Sequence, residues 1–268
     1  MKNFLFTIVT PAYNCEQFIE DCILSIKNQK YPNFEHIIID GGSTDGTIDI
    51  IKKYENTYPM RWISEKDNGM YDAIAKGFSM AKGDVYSWIN ADDMYMPWTL
   101  QTVNLAMNVH GVSWCKGINS YFTEQGALYF QSKKRHVLPV SKKWIAKGYC
   151  DGYITGFLQQ ESMFWKAELW QKSGGLNSHY RYAGDYHLWK NFAKYEKLYT
   201  INSVIAGFRK RKGQLSGDRD KYYAEIPKIN LLKKIISKLK LGVIWLIIFK
   251  PAFKTIISVD KLVNDDDK

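Results

Sequence analysis

The fold is decided by residues 36–47, which read His36-Ile37-Ile38-Ile39-Asp40-Gly41-Gly42-Ser43-Thr44-Asp45-Gly46-Thr47. This segment passes from a short apolar β-rich run through a glycine-rich turn into a helix that begins near Thr47. Glycines let the backbone of such a turn approach a ligand closely, and Ser43, Thr44 or Asp45 can cap the helix. The segment contains neither GxxxxGK[ST] nor GxGxxG, so a Walker loop and a dinucleotide-binding loop are both disfavoured.

The alternation of strand and helix extends outward from this segment. Short, near-continuous apolar runs lie at residues 6–10, 36–40, 61–63 and 85–89, and apolar residues recur at helical spacing within 18–26 and 74–81. Such runs are typical of parallel strands covered on both faces. We therefore predict an α/β fold with a mixed, mainly parallel sheet flanked by helices. Ligands should bind beyond the carboxyl ends of its strands.

Beyond about residue 112 the pattern is irregular, with helix-like segments near 141–147 and 186–195. The 268 residues are 46% hydrophobic, which is enough for one compact unit with a large core. The four cysteines show no CxxC spacing and the five histidines form no HExxH, so disulfide and zinc frameworks are disfavoured. The first residues lack the features of a signal peptide, and we expect a cytoplasmic protein.

The net charge of +10 is concentrated near the C-terminus. Between Arg209 and Lys254 there are thirteen Lys or Arg residues and only three acidic ones, Asp218, Asp220 and Glu225. Because the first 208 residues are close to neutral, we expect an anionic surface as the partner of this stretch. We do not expect the domain as a whole to bind nucleic acid, because the positive charge is confined to this stretch.

Residues 217–268 are predicted to form a basic amphipathic helical C-terminal tail. Five apolar residues share one helical face with lysines around it: Ile229, Leu232, Ile235, Ile236 and Leu239. The apolar run 241–249 is nine residues long, whereas a helix needs roughly 20 to cross a bilayer. We predict peripheral association with the inner face of the membrane through residues 224–254. The alternative is that this helix packs on its own domain or on the second subunit of a homodimer.

Acidic residues follow three of the predicted strands. Asp40 ends one strand, Asp92 and Asp93 follow another, and Asp67 lies in the loop after a third. Strand ends converge on one cleft in this architecture, so these carboxylates should face one another. A divalent cation would relieve their repulsion, and such oxygen ligands suit Mn²⁺ or Mg²⁺ together with substrate phosphates. The alternative is that each aspartate is an ordinary turn or capping residue.

Several motifs together resemble glycosyltransferase family 2. In the first half they are TIVTPAYN at 7–14, DGGSTDGT at 40–47, DNGMYDA at 67–73 and NADD at 90–93. In the second half they are QES before Phe164 and Trp165, GGL at 174–176 and AGDYHLW at 183–189. The resemblance covers residues 5–216 and implies the Rossmann-like GT-A fold. Residues 1–110 would be its nucleotide-sugar-binding half and residues 111–216 its acceptor-binding and catalytic half.

The resemblance also implies roles for individual residues. Asp93 would hold the metal, and Asp185 would be the catalytic base, with an N-cap of the following helix as the alternative. Glu161 and Trp165 would bind the acceptor, and Glu161 is also a competing candidate for the base. The residues implied to bind the nucleotide or the donor sugar are Pro11, Tyr13, Asp40, Lys66, Asp72 and Asp92.

Position 211 departs from the family pattern. Related sequences often carry a histidine there, which in some members helps to hold the metal or the diphosphate, whereas this chain has Arg211. Arginine cannot ligate a cation, but its planar fork binds phosphate directly. We therefore expect Arg211 to grip the donor diphosphate, with a solvated basic loop at 209–212 as the alternative.

The implied function is that of an inverting, metal-dependent glycosyltransferase. It would transfer a sugar from a nucleotide-diphosphate donor, a UDP-sugar by preference, to a saccharide or lipid-linked saccharide. The tail suggests a role in surface polysaccharide or glycolipid synthesis. Two alternatives remain: a catalytically inactive nucleotide-sugar-binding module, which needs no base, and a nucleotidyltransferase, which releases pyrophosphate.

Overall fold

The computed structural model describes residues 1–130, 140–152, 156–177, 179–227 and 255–259. Its strands are β1 (Phe6–Ala12), β2 (Phe34–Asp40), β3 (Met60–Ser64), β4 (Val85–Trp88), β5 (Met94–Tyr95), β6 (Trp114–Lys116), β7 (Tyr121–Phe122), β8 (Leu128–Tyr129), β9 (Met163–Lys166), β10 (Tyr199–Ile201), β11 (Ala206–Arg209) and β12 (Ile256–Ile257). Its helices are α1 (Ile19–Lys27), α2 (Thr47–Tyr54), α3 (Met70–Ser79), α4 (Thr99–Asn108), α5 (Lys142–Ala146), α6 (Ala167–Ser173), α7 (Gly184–Tyr195) and α8 (Arg219–Ala224).

The main sheet has eight strands in the order β12-β10-β6-β9-β4-β1-β2-β3. All pairings are parallel except those of β9, which runs antiparallel to both β4 and β6. The four predicted strands of the first half are β1 to β4, each joined to the next through a helix. The predicted α/β class, with a mixed and mainly parallel sheet flanked by helices, is therefore confirmed.

The core lies on both faces of this sheet. Every residue of β1 is buried, as expected for a central strand with helices on each side. Helix α1 buries the side chains at its predicted apolar spacing, from Ile19 to Ile26. Helix α3 approaches β1 so closely that a Cβ at Gly77 would lie 2.5 Å from Cγ1 of Val9. This glycine therefore sets the spacing between α3 and the sheet.

A second sheet, in the order β5-β11-β7-β8, lies beyond the carboxyl end of β4. Strand β5 follows the Asp92–Asp93 turn directly and pairs antiparallel with β11. The chain leaves β11 at Arg209 and enters the basic segment 209–212. This sheet therefore brings the basic segment against the turn that carries the two aspartates.

The residues after 216 begin with contacts to the second half of the chain. Ile226 is buried in a small cluster with Ala183 and Tyr186, and β12 extends the main sheet beyond β10. The predicted amphipathic helix and the apolar run 241–249 lie outside the described residues. In the part of the chain that the structure describes, no helix has the length and apolar character needed to cross a bilayer. The division at residues 110 and 216 stays a prediction.

Candidate active site

Asp40 lies at the carboxyl end of β2 and is fully buried. Its Oδ2 accepts hydrogen bonds from the backbone N–H groups of Gly42 and Ser43, at 3.0 and 2.9 Å. The hydroxyl of Ser64 donates to the same oxygen at 2.7 Å, and the hydroxyl of Ser43 donates to Oδ1. Asp40 therefore shapes its own glycine-rich turn, and most of its hydrogen-bonding capacity is used within the protein.

The glycine-rich turn is joined to the loop that follows β1. The backbone N–H of Asn14 donates to Oγ of Ser43, and Oδ1 of Asn14 accepts from the N–H of Thr44, both at 2.8 Å. Tyr13 stands on this junction with 64% of its surface exposed, whereas Pro11 is buried within β1. Of these two predicted nucleotide contacts, Tyr13 alone thus offers an open aromatic face.

The loop after β3 forms the neighbouring wall. Lys66 is exposed, and Asp67 packs so closely on the glycine-rich turn that a Cβ at Gly41 would lie 2.8 Å from its Oδ2. Asp72, in the first turn of α3, accepts the backbone N–H of Asn68 at 2.9 Å. Lys66 therefore lies in this loop, and the carboxylate of Asp72 holds the loop from the start of α3.

Asp92 and Asp93 have different surroundings although they are adjacent. Asp93 is fully buried: its Oδ1 accepts the backbone N–H of Arg209 at 2.8 Å, and its Oδ2 lies 3.4 Å from Nε2 of Gln160. Burial raises the pKa of Asp93 well above its usual range, with further contributions from the charges of Asp92 and Glu161. The carboxylate of Asp92 reaches the surface with 12% of its area exposed and pairs with Nε of Arg211 at 2.7 Å. The metal-binding role of Asp93 stays a prediction, and Asp92 carries the more accessible of the two carboxylates.

Arg209 is buried beneath this turn, a role that the sequence did not reveal. Its Nε donates to the carbonyl oxygen of Asp92 at 2.8 Å, and its other guanidinium nitrogens reach the carbonyl of Glu124 and the carboxylate of Asp21. Arg211, two residues later, is partly exposed on the same turn. The basic segment 209–212 thus contains one structural arginine and one arginine at the rim.

The residues present fit a cation that arrives with phosphates. Among the described residues, no group of three or more His, Cys, Asp or Glu side chains could hold a metal ion. Mg²⁺ and Mn²⁺ are, however, often bound by one or two carboxylates together with substrate phosphates. Asp92 has one carboxylate oxygen outside its ion pair with Arg211, and Oδ1 of Asn90, on the same turn, has no hydrogen-bond partner among the described residues.

Asp185 lies in the first turn of α7 and is partly buried. The hydroxyl of Tyr71, on α3, donates to its Oδ1 at 3.2 Å, and the N–H of Tyr186 donates to the same oxygen at 2.8 Å. Burial raises the pKa of Asp185 to about 6, although these hydrogen bonds oppose the increase. Because α7 begins at Gly184, Asp185 is not its N-cap. A Cβ at Gly184 would lie 2.8 Å from the ring of Tyr71, so glycine is required for this contact.

Glu161 lies between Asp185 and the turn after β4. It is buried, and burial raises its pKa above the usual range, aided by the charges of Asp185 and Asp92 and opposed by Lys116. Lys116 is itself buried, which lowers its pKa to about 8, and it donates to the carbonyl of Gly117. The sequence did not single out Lys116, because a single lysine at the end of a short strand carries no motif.

Several acceptor oxygens in this region are buried without a partner among the described residues. They are Oδ1 of Asn90 and the Oε1 atoms of Gln159, Gln160 and Glu161. Buried polar atoms are nearly always hydrogen-bonded, so such a group marks a place for a ligand that supplies donors. Hydroxyl-rich molecules and hydrated cations both meet this requirement.

Trp165 does not line this site. It is fully buried in the middle of β9 and packs against Trp88, Trp170 and Trp189. The predicted acceptor contact at Trp165 is therefore corrected: its ring has no exposed face and belongs to the core.

Comparisons with known proteins identify the family of this chain. The model of the glycosyl transferase family 2 matches residues 7–164, more than half of the chain. The chain belongs to this family. As a family 2 member it is similar to the chondroitin synthase of Pasteurella multocida, with 25% identity over 207 residues, 75% of this chain and 20% of that protein. The chain spans 20% of the length of this synthase and of a hyaluronan synthase from the same organism, and 37% of the length of a third curated relative.

Solved structures bear on the fold of this family 2 chain. Residues 1–349 of Staphylococcus aureus TarS, in complex with UDP-GlcNAc, superpose with a TM-score of 0.64 and 17% identity, covering 88% of this chain and 71% of that one. The mannosyltransferase PcManGT of Pyrobaculum calidifontis, in complex with GDP-Man and Mn²⁺, gives a TM-score of 0.66 and 20% identity, with 99% and 75% covered. The predicted GT-A fold is thereby confirmed.

Proposed function

We propose that this protein is an inverting glycosyltransferase in which Asp185 is the catalytic base. The observation that carries the proposal is the environment of Asp185: a partly buried carboxyl with a pKa of about 6, oriented by the hydroxyl of Tyr71. A general base works best when its pKa lies near the working pH and its position is fixed. Asp185 meets both conditions, which an inactive binding module would not need.

Each residue has a chemical task in the proposed reaction. The acceptor hydroxyl gives its proton to the carboxylate of Asp185 while its oxygen forms a bond to the anomeric carbon. The bond from that carbon to the donor phosphate breaks on the opposite face, so one displacement inverts the configuration. The guanidinium of Arg211 binds the departing diphosphate. A divalent cation, Mn²⁺ or Mg²⁺, would be held by Asp92 and the donor phosphates and would supply Lewis-acid charge.

We place the residues that contact the donor at the carboxyl ends of β1 to β4 and in the loops that follow these strands. The exposed ring of Tyr13 would stack on the nucleobase of the donor, and Pro11 and Asp40 would support the loop that carries Tyr13. Lys66 and Asp72 would face the donor from the loop after β3, and Glu161 would hold hydroxyl groups of the acceptor through its unpaired Oε1. A sugar supplies the hydroxyl donors that the unpaired oxygens near Asn90 and Gln160 lack.

The donor is proposed to be a UDP-sugar, since the similar TarS structure holds UDP-GlcNAc, and the GDP-Man in the PcManGT structure makes GDP-sugars the comparison to run. The acceptor is proposed to be a saccharide or lipid-linked saccharide of surface polysaccharide or glycolipid synthesis. The basic stretch 224–254 supports peripheral association with the inner face of the membrane, where a lipid-linked acceptor would lie.

Product analysis tests the reaction class. The protein is incubated with UDP-, GDP- and dTDP-sugars, with Mn²⁺ or Mg²⁺ and separately with EDTA, and the released nucleotide is identified. Release of a nucleoside diphosphate from one donor, lost in EDTA, is the expected result. Release of pyrophosphate would instead identify a nucleotidyltransferase. Binding of a nucleotide without any turnover, across a panel of saccharide acceptors, would contradict the proposal and identify a binding module.

A further inference from the structure

We propose that Glu225 is a positioning residue for Asp185, because its carboxylate clamps the backbone immediately before the helix that carries the base. This inference rests on the proposed function, in which Asp185 accepts the proton of the acceptor. Glu225 follows α8, about 40 residues beyond the base, and belongs to none of the motifs found in the sequence.

The clamp consists of three hydrogen bonds to consecutive residues. One carboxylate oxygen of Glu225 accepts the backbone N–H of Arg181, and the other accepts those of Tyr182 and Ala183, each at 2.8 Å. Hydrogen bonds to an ionised acceptor are stronger than those between neutral groups. Three such bonds fix the chain up to the residue before Gly184, so the start of α7 cannot shift without breaking them.

A second contact holds the other side of the base. The carbonyl oxygen of Glu225 lies 3.0 Å from Nε2 of His187, and Ile226 is buried against Ala183 and Tyr186. Residues 225 and 226 thus contact the chain both before and after Asp185. The aspartate is held in a segment that is fixed at both ends, as a base must be to keep its geometry.

The charge of Glu225 adds an effect that a purely mechanical clamp would lack. Burial is the main cause of the raised pKa of Asp185, and the negative charge of Glu225 raises it further. Three other titratable groups interact with Asp185 through a hydrogen bond or through charge. They are Tyr71 on α3, Glu161 just before β9, and Tyr222 on α8. Removing the charge of Glu225 should therefore lower the pKa of Asp185.

The test compares Glu225→Gln and Glu225→Ala with Asp220→Asn, which removes one negative charge from an exposed position on α8. Glutamine keeps one acceptor oxygen but loses the charge and places an amide N–H against a backbone N–H. We expect kcat to fall by about 10-fold to 100-fold in both Glu225 variants, since small displacements of a base have effects of this size. The acid limb of kcat should also move to lower pH in Glu225→Gln, with unchanged binding of the nucleoside diphosphate. Asp220→Asn should match the wild type.

The outcomes separate this proposal from the proposed function. An acid limb of Glu225→Gln that coincides with the wild type, or a kcat that is unchanged, overturns the positioning role. A lower kcat without any movement of the acid limb also overturns it, because it indicates only a structural cap. Failure of the proposed function has a different signature, namely that Asp185→Asn keeps its transfer activity whatever the behaviour of Glu225. Thermal unfolding of each variant identifies a folding defect, and Glu225→Gln keeps the test valid if Glu225→Ala does not fold.

Discussion

The hydroxyl of Tyr71 lies 3.2 Å from Oδ1 of Asp185, across 114 positions of the chain. Tyr71 belongs to the first turn of α3, directly after the loop with Lys66 and Asp67, and Asp185 belongs to the first turn of α7. This single hydrogen bond therefore connects the proposed donor loops with the proposed base. It also stabilises the ionised carboxylate, and so opposes the effect of burial on the pKa of Asp185.

The Tyr71→Phe variant should raise the pKa of Asp185, because it removes a hydrogen bond that favours the charged form. A base with a raised pKa loses its activity at higher pH as the solution is acidified, so the acid limb of kcat should move upward. This direction is opposite to that expected for Glu225→Gln. The pH profile of kcat measures it, with Tyr54→Phe on α2 as a control that should leave the profile unchanged. A profile unchanged in Tyr71→Phe would contradict the assignment.

The Asp185→Asn variant should lose transfer while it keeps donor binding. General-base catalysis contributes about 10²-fold to 10⁴-fold to the rate, and kcat should fall by this factor. Calorimetry with the nucleoside diphosphate and metal should give an affinity equal to that of the wild type. Asp49→Asn makes the same change in the first turn of α2, where the side chain is exposed, and serves as the control. Near-normal transfer by Asp185→Asn would show that another residue is the base.

The neighbouring variants Asp92→Asn and Asp93→Asn should behave differently. Asp92→Asn removes the charge at the rim and should weaken Mn²⁺-dependent nucleotide binding by at least about 10-fold. Asp93→Asn keeps an acceptor for the N–H of Arg209, and its new amide can donate to Oε1 of Gln160 once the Gln160 amide, which now presents Nε2 to position 93, has turned over. Its free energy of unfolding should therefore change by less than about 1 kcal/mol. Loss of metal-dependent binding in Asp93→Asn alone would instead identify Asp93 as the metal ligand.

The protein should lose stability when the pH falls below about 6.5 because of His36. This residue lies in β2 and is fully buried, and its ring nitrogens contact the hydroxyls of Tyr58 and Thr10 at 2.7 and 2.9 Å. Burial lowers its pKa to about 3, so between pH 6.5 and 3 the unfolded chain binds a proton that the folded chain does not.

The contribution to the free energy of unfolding reaches at most about 1.4 kcal/mol per pH unit. Urea unfolding at pH 7, 6 and 5 measures this slope. His36→Gln should give a shallower slope, while the exposed His110→Gln should keep that of the wild type. Equal slopes in all three proteins would rule out His36 as the origin.

The strands and the site loops could be predicted because their signals are local. Residues 36–47 carry the strand, the turn and the start of α2 within twelve positions, and β1 to β4 appear as separate apolar runs. The sequence does not show that Asp92 and Asp93, which are adjacent in one turn, have side chains that point in different directions. The orientation of the two side chains depends on their contacts with Arg209. Arg209 is positioned by the second sheet, and the NADD motif gives no information about that sheet.

Two further features escaped prediction for similar reasons. Trp165 lies beside a recognisable motif, yet β9 is inserted between two strands of the main sheet, so its side chains are covered on both faces. Glu225 stands in a stretch whose composition suggests a solvated basic tail. Its three backbone contacts to residues 181–183 are long-range and leave no trace in local periodicity.

Strand β12, in the C-terminal region, covers the edge of the main sheet. It covers the open side of β10, where Asn202 donates its N–H to the carbonyl of Ile257 at 2.8 Å. A shortened protein that ends at residue 216 would lose this cover as well as Glu225, and would present unpaired backbone groups of β10 as a template for self-association. Experiments on the basic stretch 224–254 should therefore exchange lysines for neutral residues in the full chain. If the stretch were deleted, a loss of membrane binding could not be distinguished from self-association through the exposed edge of the sheet.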